Sequence, residues 1–208
     1  MRVGIRIVWI AATTVGCALG LTLSSVLAGA TARPLSPVLG GIGVVLLYGA
    51  VVGAVIGIMQ LLVIPRDLIP WHLWVPVTLI GGAVGFALAA VVGEVLGNVI
   101  DPMLSVVIGE GTIETSSGAI LGLAIGAGQW RVLRRRASVG RGWLVMCAIG
   151  GGLGYGAATA VLELFDVPIL KTNLLPSFGA ILGICIGTAQ APVLWSRRRN
   201  GSTAGRPG

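Results

Sequence analysis

Six long apolar segments dominate the pattern of hydrophobic and polar positions along the chain. A helix needs about 20 apolar residues to cross about 30 Å of hydrocarbon, because each residue adds about 1.5 Å. The segments cover residues 7–28, 40–64, 73–96, 113–133, 143–164 and 175–195. The pattern predicts an all-α, polytopic membrane bundle of six transmembrane helices within residues 1–196. A basic tail at 197–208 follows, which we expect to be disordered.

The even-numbered segments share the motif Gly-Ala-x-x-Gly-x-x-x-Gly-x-x-Gln at one fixed spacing. At about 100° per residue, its glycines and its glutamine fall within about 80° of each other, on one helix face. Its glycines are Gly49, Gly53 and Gly57, then Gly118, Gly122 and Gly126, then Gly179, Gly183 and Gly187. Its glutamines are Gln60, Gln129 and Gln190.

The odd-numbered segments repeat as well, with a tryptophan followed by glycines seven and eleven residues later. These positions fall within about 40° of each other on a helix. The three sets are Trp9, Gly16 and Gly20; Trp74, Gly81 and Gly85; and Trp143, Gly150 and Gly154. The chain is therefore predicted to contain three repeats of one two-helix hairpin.

Glycine at this spacing removes the side chains along one stripe of a helix, so that two backbones can approach closely. Lipid gives apolar helices no hydrophobic reason to associate, so we expect the glycines to act as helix-packing residues. The three glutamines leave two interpretations open. They form interhelical hydrogen bonds, or they form a polar ring around a pseudo-threefold axis that lines a solute path. The three repeat tryptophans are expected to anchor in the headgroup region.

Composition agrees with a membrane environment. The chain is 55% hydrophobic and 10% charged, with a mean hydropathy of +0.98, whereas soluble domains carry about 25% charged residues. The net charge of +7 could suggest nucleic acid, but the basic residues lie at the ends of apolar segments. The expected partners are the lipid bilayer and, at the basic loops, anionic headgroups or another protein, and not nucleic acid.

The distribution of basic residues predicts the orientation. If the N-terminus is cytoplasmic, only Arg33 and Lys171 of the fourteen Lys and Arg lie outside, which leaves twelve inside. Because positive residues concentrate on the cytoplasmic side, we expect a multi-pass protein of the cell membrane with both termini in the cytoplasm. The first segment follows Arg2 and Arg6 as a signal peptide would. It belongs to the repeat, however, so we expect it to be retained.

Candidate chemistry is sparse. His72 is the single histidine, and Cys17, Cys147 and Cys185 lie inside apolar segments as small hydrophobic residues would. No catalytic constellation or metal-ligand cluster is present, so we expect no enzyme activity, no cofactor and no metal. Glu114 lies four residues before the glycine motif of the fourth segment. It is either an outer acidic site for a proton or cation, or a residue that compensates the helix dipole.

The fourth segment continues the motif as Gly122-x-x-x-Gly126-x-x-Gln129-Trp130, followed by basic residues. This form resembles a group of bacterial glycine-rich multipass membrane proteins of unknown function, and the resemblance covers residues 7–195. It implies the membrane fold and no activity. Two function classes remain: a structural, accessory or interaction protein of the bacterial inner membrane, and a small-solute or ion permease with a path along the bundle axis. Helix centres without charge favour the first.

Overall fold

A computed structural model gives the architecture of the chain. It describes residues 2–64, 69, 71–99, 110–136, 139–164 and 174–196. The regular elements in these ranges are all helices. The predicted tail at 197–208 lies outside the described residues, so the predicted boundary after residue 196 stays a prediction.

Six helical segments make up the described part of the chain. The first two belong to one long helix, Arg2–Leu61, which reverses at Gly40. We call the parts before and after this residue α1 and α2. The other helices are α3 (Trp71–Val99), α4 (Glu110–Arg136), α5 (Gly142–Leu164) and α6 (Leu175–Ser196).

The reversal between α1 and α2 depends on one residue. Gly40 has φ 67° and ψ 175°, a conformation that residues with a Cβ rarely adopt. Helical backbone continues up to it through residues 31–39. The predicted segments 7–28 and 40–64 leave this stretch out, and the two helices long and apolar enough to cross a membrane here are Gly4–Leu27 and Gly40–Leu61. Proline removes a backbone donor but keeps a helical φ, whereas a reversal of direction needs a positive φ.

The six helices form a closed ring in which neighbours are antiparallel. Each helix packs on the next one in the chain, and α6 packs back on α1. The register between α1 and α2 shows the antiparallel direction, because Gly16 lies against Ile56 while Gly20 lies against Val52. Odd and even helices therefore alternate in direction around a central axis.

Within each hairpin, glycines of the odd helix lie directly against the even helix. A Cβ added to any of them would stand closer to a backbone Cα than the usual 3.5–4.0 Å carbon contact. For the first glycine of each pair, this Cβ would be 3.0 Å from Ile56 at Gly16, 2.7 Å from Ile125 at Gly81 and 2.8 Å from Ile186 at Gly150. For the second, it would be 3.2 Å from Val52 at Gly20, 3.2 Å from Leu121 at Gly85 and 3.0 Å from Leu182 at Gly154.

Between hairpins, glycines of the even helix lie against the backbone of the next odd helix. An added Cβ would collide with a backbone carbonyl at Gly49, Gly53, Gly118 and Gly122. Where α6 meets α1, it would be 2.6 Å from the Ala18 Cα at Gly179, 2.5 Å from the Thr14 Cα at Gly183 and 2.9 Å from the Ile10 Cα at Gly187. At Gly57 and Gly126, an added Cβ would be 3.2 Å and 2.6 Å from the Cβ of Thr78 and of Cys147.

The surface that faces away from the axis is apolar. Leu19, Leu88 and Leu153 are 52%, 48% and 62% exposed, which suits lipid and not water. By length and composition, five helices could cross a membrane: Gly4–Leu27, Gly40–Leu61, Trp71–Leu96, Gly142–Leu164 and Leu175–Val193. The other helix, α4, carries charged residues at both ends but packs between α3 and α5 in the same layer. The predicted fold class, an all-α membrane bundle, is confirmed.

Candidate functional site

Three buried amides lie on the axis of the bundle. Gln60, Gln129 and Gln190 are 0%, 0% and 1% exposed, and we call them the glutamine layer. Each follows a buried isoleucine of its own helix by four residues, close to one helical turn, so both side chains face the axis. The structure thus brings together the three glutamines that the repeat singles out.

Hydrogen bonds join the glutamine layer between hairpins and within them. Between hairpins, Gln129 Nε2 donates to Gln60 Oε1 at 2.8 Å. Within hairpins, each amide nitrogen also reaches the preceding odd helix. Gln60 donates to Thr13 Oγ1 at 3.3 Å, Gln129 to Thr78 Oγ1 at 3.4 Å, and Gln190 to Cys147 Sγ at 3.2 Å.

Sequence reasoning missed the side chains that accept these bonds. Thr13, Thr78 and Cys147 each follow a repeat tryptophan by four residues, so the spacing carried a signal for them. The two threonines donate their own hydroxyl protons to the carbonyls of Trp9 and Trp74, at 3.0 Å and 2.8 Å. This leaves a lone pair of each hydroxyl for the glutamine amide.

The three repeat tryptophans are buried, which contradicts the expected role as headgroup anchors. Trp9, Trp74 and Trp143 are each 0% exposed, and the rings of Trp9 and Trp143 pack edge to face with centroids 6.4 Å apart. They share a helix face with the odd-helix glycines, and that face points into the bundle. The indoles therefore fill the end of the axis beside the glutamine layer. Trp71, outside the repeat, is 72% exposed.

On the other side of the glutamine layer, aliphatic side chains fill the axis. A small cavity remains, in which the centre of a water molecule can move over about 10 Å³. It is lined by Thr13, Cys17, Ile56, Gln60, Gly122, Ile125, Ile186 and Gln190. One turn further along the even helices lie Val52, Leu121 and Leu182, which are at most 3% exposed. Among the described residues, the axis is closed by these two aliphatic layers.

A larger cavity lies at the opposite end of the bundle. Its volume is about 420 Å³ on the same measure, and α2, α3, α4 and α5 all contribute to its wall. The polar side chains in that wall are Tyr48, Glu94, Ser117 and Tyr155. The ring of Tyr48 packs edge to face on Phe86, with centroids 5.2 Å apart. The cavity is thus mostly apolar, with a few polar groups.

Among the side chains that the structure describes, acidic ones lie at one end of the bundle and basic ones at the other. Glu94 and Glu163 are exposed and Glu114 is half-buried, all at the end that holds the larger cavity. Glu114 therefore lies far along α4 from the glutamine layer, and the structure does not bring the two together. The exposed arginines at the glutamine end are Arg6, Arg131, Arg134, Arg135 and Arg141.

The chemistry open to the glutamine layer is hydrogen bonding. Amides donate and accept hydrogen bonds but take up no proton near neutral pH. In the ranges that the structure describes, no three His, Cys, Asp or Glu side chains lie close enough together to hold a metal ion. The layer can therefore lock helices together or hold a small neutral polar molecule.

We call each contact between neighbouring helices that is lined by the repeated glycines a seam. These seams and the glutamine layer have to be interpreted from this chain alone. No protein-family model matches it, and neither does any curated protein or any solved structure.

Proposed function

We propose that the protein is a structural or accessory component of the bacterial cytoplasmic membrane. In this proposal it is a closed six-helix scaffold that conducts no solute and meets its partners at its surfaces. The observation that carries the proposal is the filled axis. The cavity at the glutamine layer has a volume of only about 10 Å³. That space is about the size that one water molecule needs.

The aliphatic layers make solute passage costly. An ion moving along the axis would have to lose its hydration among the isoleucines next to the glutamine layer. An isolated charge in such surroundings costs tens of kcal/mol on the Born estimate. Pores that conduct ions replace the hydration shell with rings of carbonyls or charged side chains. The one amide layer here is used largely for bonds between helices.

The arginine-rich end supports a partner surface for anionic headgroups or an acidic protein, with both termini in the cytoplasm. A basic residue near an anionic leaflet contributes about 1 kcal/mol of attraction. Exposed Arg134 also holds its guanidinium carbon 4.8 Å from the centre of the Trp130 ring. This contact fixes one cation at the helix end, where headgroups would meet it.

Thiol labelling in intact membranes tests the closed axis. Cys17 lines the axial cavity and is 0% exposed, so a membrane-impermeant maleimide should leave it unmodified from either side. The same reagent should modify Cys17 after unfolding in SDS, which controls for reactivity. A Ile56→Cys variant extends the test to the isoleucine layer. Labelling of either position in the folded protein would mean that water reaches the axis, and the scaffold proposal would fail.

A small-solute permease is the second candidate, and the cavity of about 420 Å³ is the observation that favours it. Ligand sites of about this volume, mostly apolar with a few polar groups, are common. Purified protein in liposomes distinguishes the two functions. A scaffold leaves the flux of small polar solutes and ions at the level of protein-free liposomes. A permease raises it, and Ile56→Trp, placed at the closed layer, should then abolish the increase.

A further inference from the structure

The glutamine layer contains one of the three bonds that would close a ring of amides. In such a ring, each Nε2 donates to the Oε1 of the next glutamine, as Gln129 does to Gln60 at 2.8 Å. The two acceptors that remain are the Oε1 atoms of Gln129 and Gln190. These two oxygens are buried and have no hydrogen-bond partner among the described residues. Buried polar atoms without a partner are rare and usually bind water or an ion.

The donors that remain match these acceptors. An amide nitrogen carries two protons, and Gln129 directs both to protein atoms, Gln60 Oε1 and Thr78 Oγ1. Gln60 and Gln190 each show one bond to the preceding odd helix. Each therefore keeps one N–H for the ring. Two donors and two acceptors are therefore left in the layer.

The axial cavity lies at the open part of the ring. Gln60 and Gln190 both line it, together with Thr13. The centre of a water molecule can move over about 10 Å³ there, which is close to the 10–15 Å³ that one water needs. The site is thus large enough for one water molecule and too small for a larger organic ligand.

The groups around the cavity select a neutral ligand that both donates and accepts. Gln60 brings a spare N–H to the cavity wall and Gln190 a spare oxygen, and no described charged residue lines the cavity. A bare charge among isoleucines would also carry the large cost of burial without a counterion. Water satisfies a donor and an acceptor at the same time and needs no counterion.

We propose that the glutamine layer binds one water molecule on the axis. This water accepts a hydrogen bond from Gln60 Nε2 and donates one to Gln190 Oε1, the two amides that line the cavity. The water then makes two bonds to the glutamine layer, within the range of two to four for a buried water. The site goes beyond the proposed scaffold role, because it assigns a bound molecule to the core of the bundle.

Signals from the layer can be observed without overlap from other residues, because these three residues are the only glutamines of the chain. Selective ¹⁵N labelling of glutamine side chains therefore gives three NH₂ groups, all from the layer. In protein reconstituted in nanodiscs, magnetisation transfer from long-lived water should reach the Gln60 amide and be absent at Gln129, whose two protons bind protein atoms. No transfer at Gln60 would overturn the proposal. Equal transfer at all three amides would also overturn it, since it indicates a water-filled path.

A variant and a second measurement complete the test. Gln190→Met keeps the side-chain length but removes the acceptor, so the water signal at Gln60 should be lost. Ile184→Leu, at a position 49% exposed on the outer face of α6, should leave the signal unchanged. If Gln190→Met does not fold, a structure of the wild-type protein at about 2 Å resolution decides. A single peak 2.7–3.2 Å from Gln60 Nε2 supports water. An ion held by oxygens alone, or a ring closed by three direct amide bonds, contradicts it.

Discussion

The seams between hairpins and the seams within hairpins use glycine in different ways. At two of the three seams between hairpins, glycine faces glycine: a Cβ on Gly49 or on Gly82 would collide with the carbonyl of the other, and Gly118 and Gly151 repeat this pair. Within a hairpin, one glycine faces a residue that keeps its side chain. Shape is therefore most restrictive where two glycines face each other. There the two backbones are in direct contact, and their carbonyl oxygens cannot shift as a flexible side chain can.

The largest effect is expected at a seam between hairpins. Gly122→Ala places a methyl group on the carbonyl oxygen of Cys147, so α4 and α5 have to separate along the whole seam. Overpacking costs 1–3 kcal/mol and occasionally more, and we expect the free energy of unfolding to fall by about 3 kcal/mol. Titration with SDS in mixed micelles measures it. A loss below about 1 kcal/mol would show that the backbones are not in close contact there.

The second largest effect is expected for the bond that joins two hairpins in the glutamine layer. Gln129→Leu removes the donor to Gln60 Oε1 and leaves that oxygen buried without its partner. A buried acceptor that loses its bond costs about 1–3 kcal/mol, so we expect a loss of about 2 kcal/mol in the same titration. Leu123→Met, 46% exposed on the same helix, serves as the control with an unchanged midpoint. Equal SDS midpoints for Gln129→Leu and Leu123→Met would show that this hydrogen bond does not stabilise the contact between the hairpins.

A smaller effect is expected at a seam within a hairpin. Gly20→Ala places its Cβ 3.2 Å from the Cα and the carbonyl oxygen of Val52, a contact that a shift of a few tenths of an ångström relieves. We expect a loss of about 1 kcal/mol, at the lower end of the range for overpacking. If Gly20→Ala destabilises the protein as much as Gly122→Ala does, the two kinds of seam are equivalent.

The smallest effect is expected outside both seams. A Cβ added at Gly142, the first residue of α5, meets nothing within 4 Å. Gly142→Ala should therefore change the free energy of unfolding by no more than about 0.5 kcal/mol, as is usual for surface substitutions. This variant is the reference for the other glycine variants, because it shows how far a stiffer unfolded chain alone changes the free energy of unfolding when no clash occurs. A marked loss would point to a contact with residues beyond the described ranges.

The sequence predicts the helices and the contact faces well because both follow from local periodicity. The glycine spacing marks which stripes lack side chains, and these stripes are the ones in contact. The burial of Trp9, Trp74 and Trp143 could have been predicted in the same way, because each tryptophan lies on the same face of its odd helix as the glycines. The preference of indole for headgroups led to the wrong expectation. The second segment was predicted to begin at residue 40, and the chain reverses there at Gly40, whose positive φ glycine adopts easily.

The candidate site is harder to predict because it depends on how the ring closes. Local spacing places each glutamine on an inward face, but it does not specify that Gln129 bonds Gln60 while Gln190 bonds a sulfur atom. The sulfur atom belongs to Cys147, which stands where the other two hairpins have threonine. Which amide bonds which partner is a tertiary property. The aliphatic closure of the axis likewise needs three helices from three hairpins.

The seams between hairpins have a consequence for assembly. The even face of each hairpin binds the odd face of the next, and α6 closes the circle on α1. Two different surfaces that join head to tail form a heterologous interface, which produces either an endless filament or a closed cycle. Here the ring closes after three hairpins, as a cyclic arrangement of three units does. Linkage leaves the three units free to differ, and Cys17 stands at the position that Gly82 and Gly151 occupy in the other two.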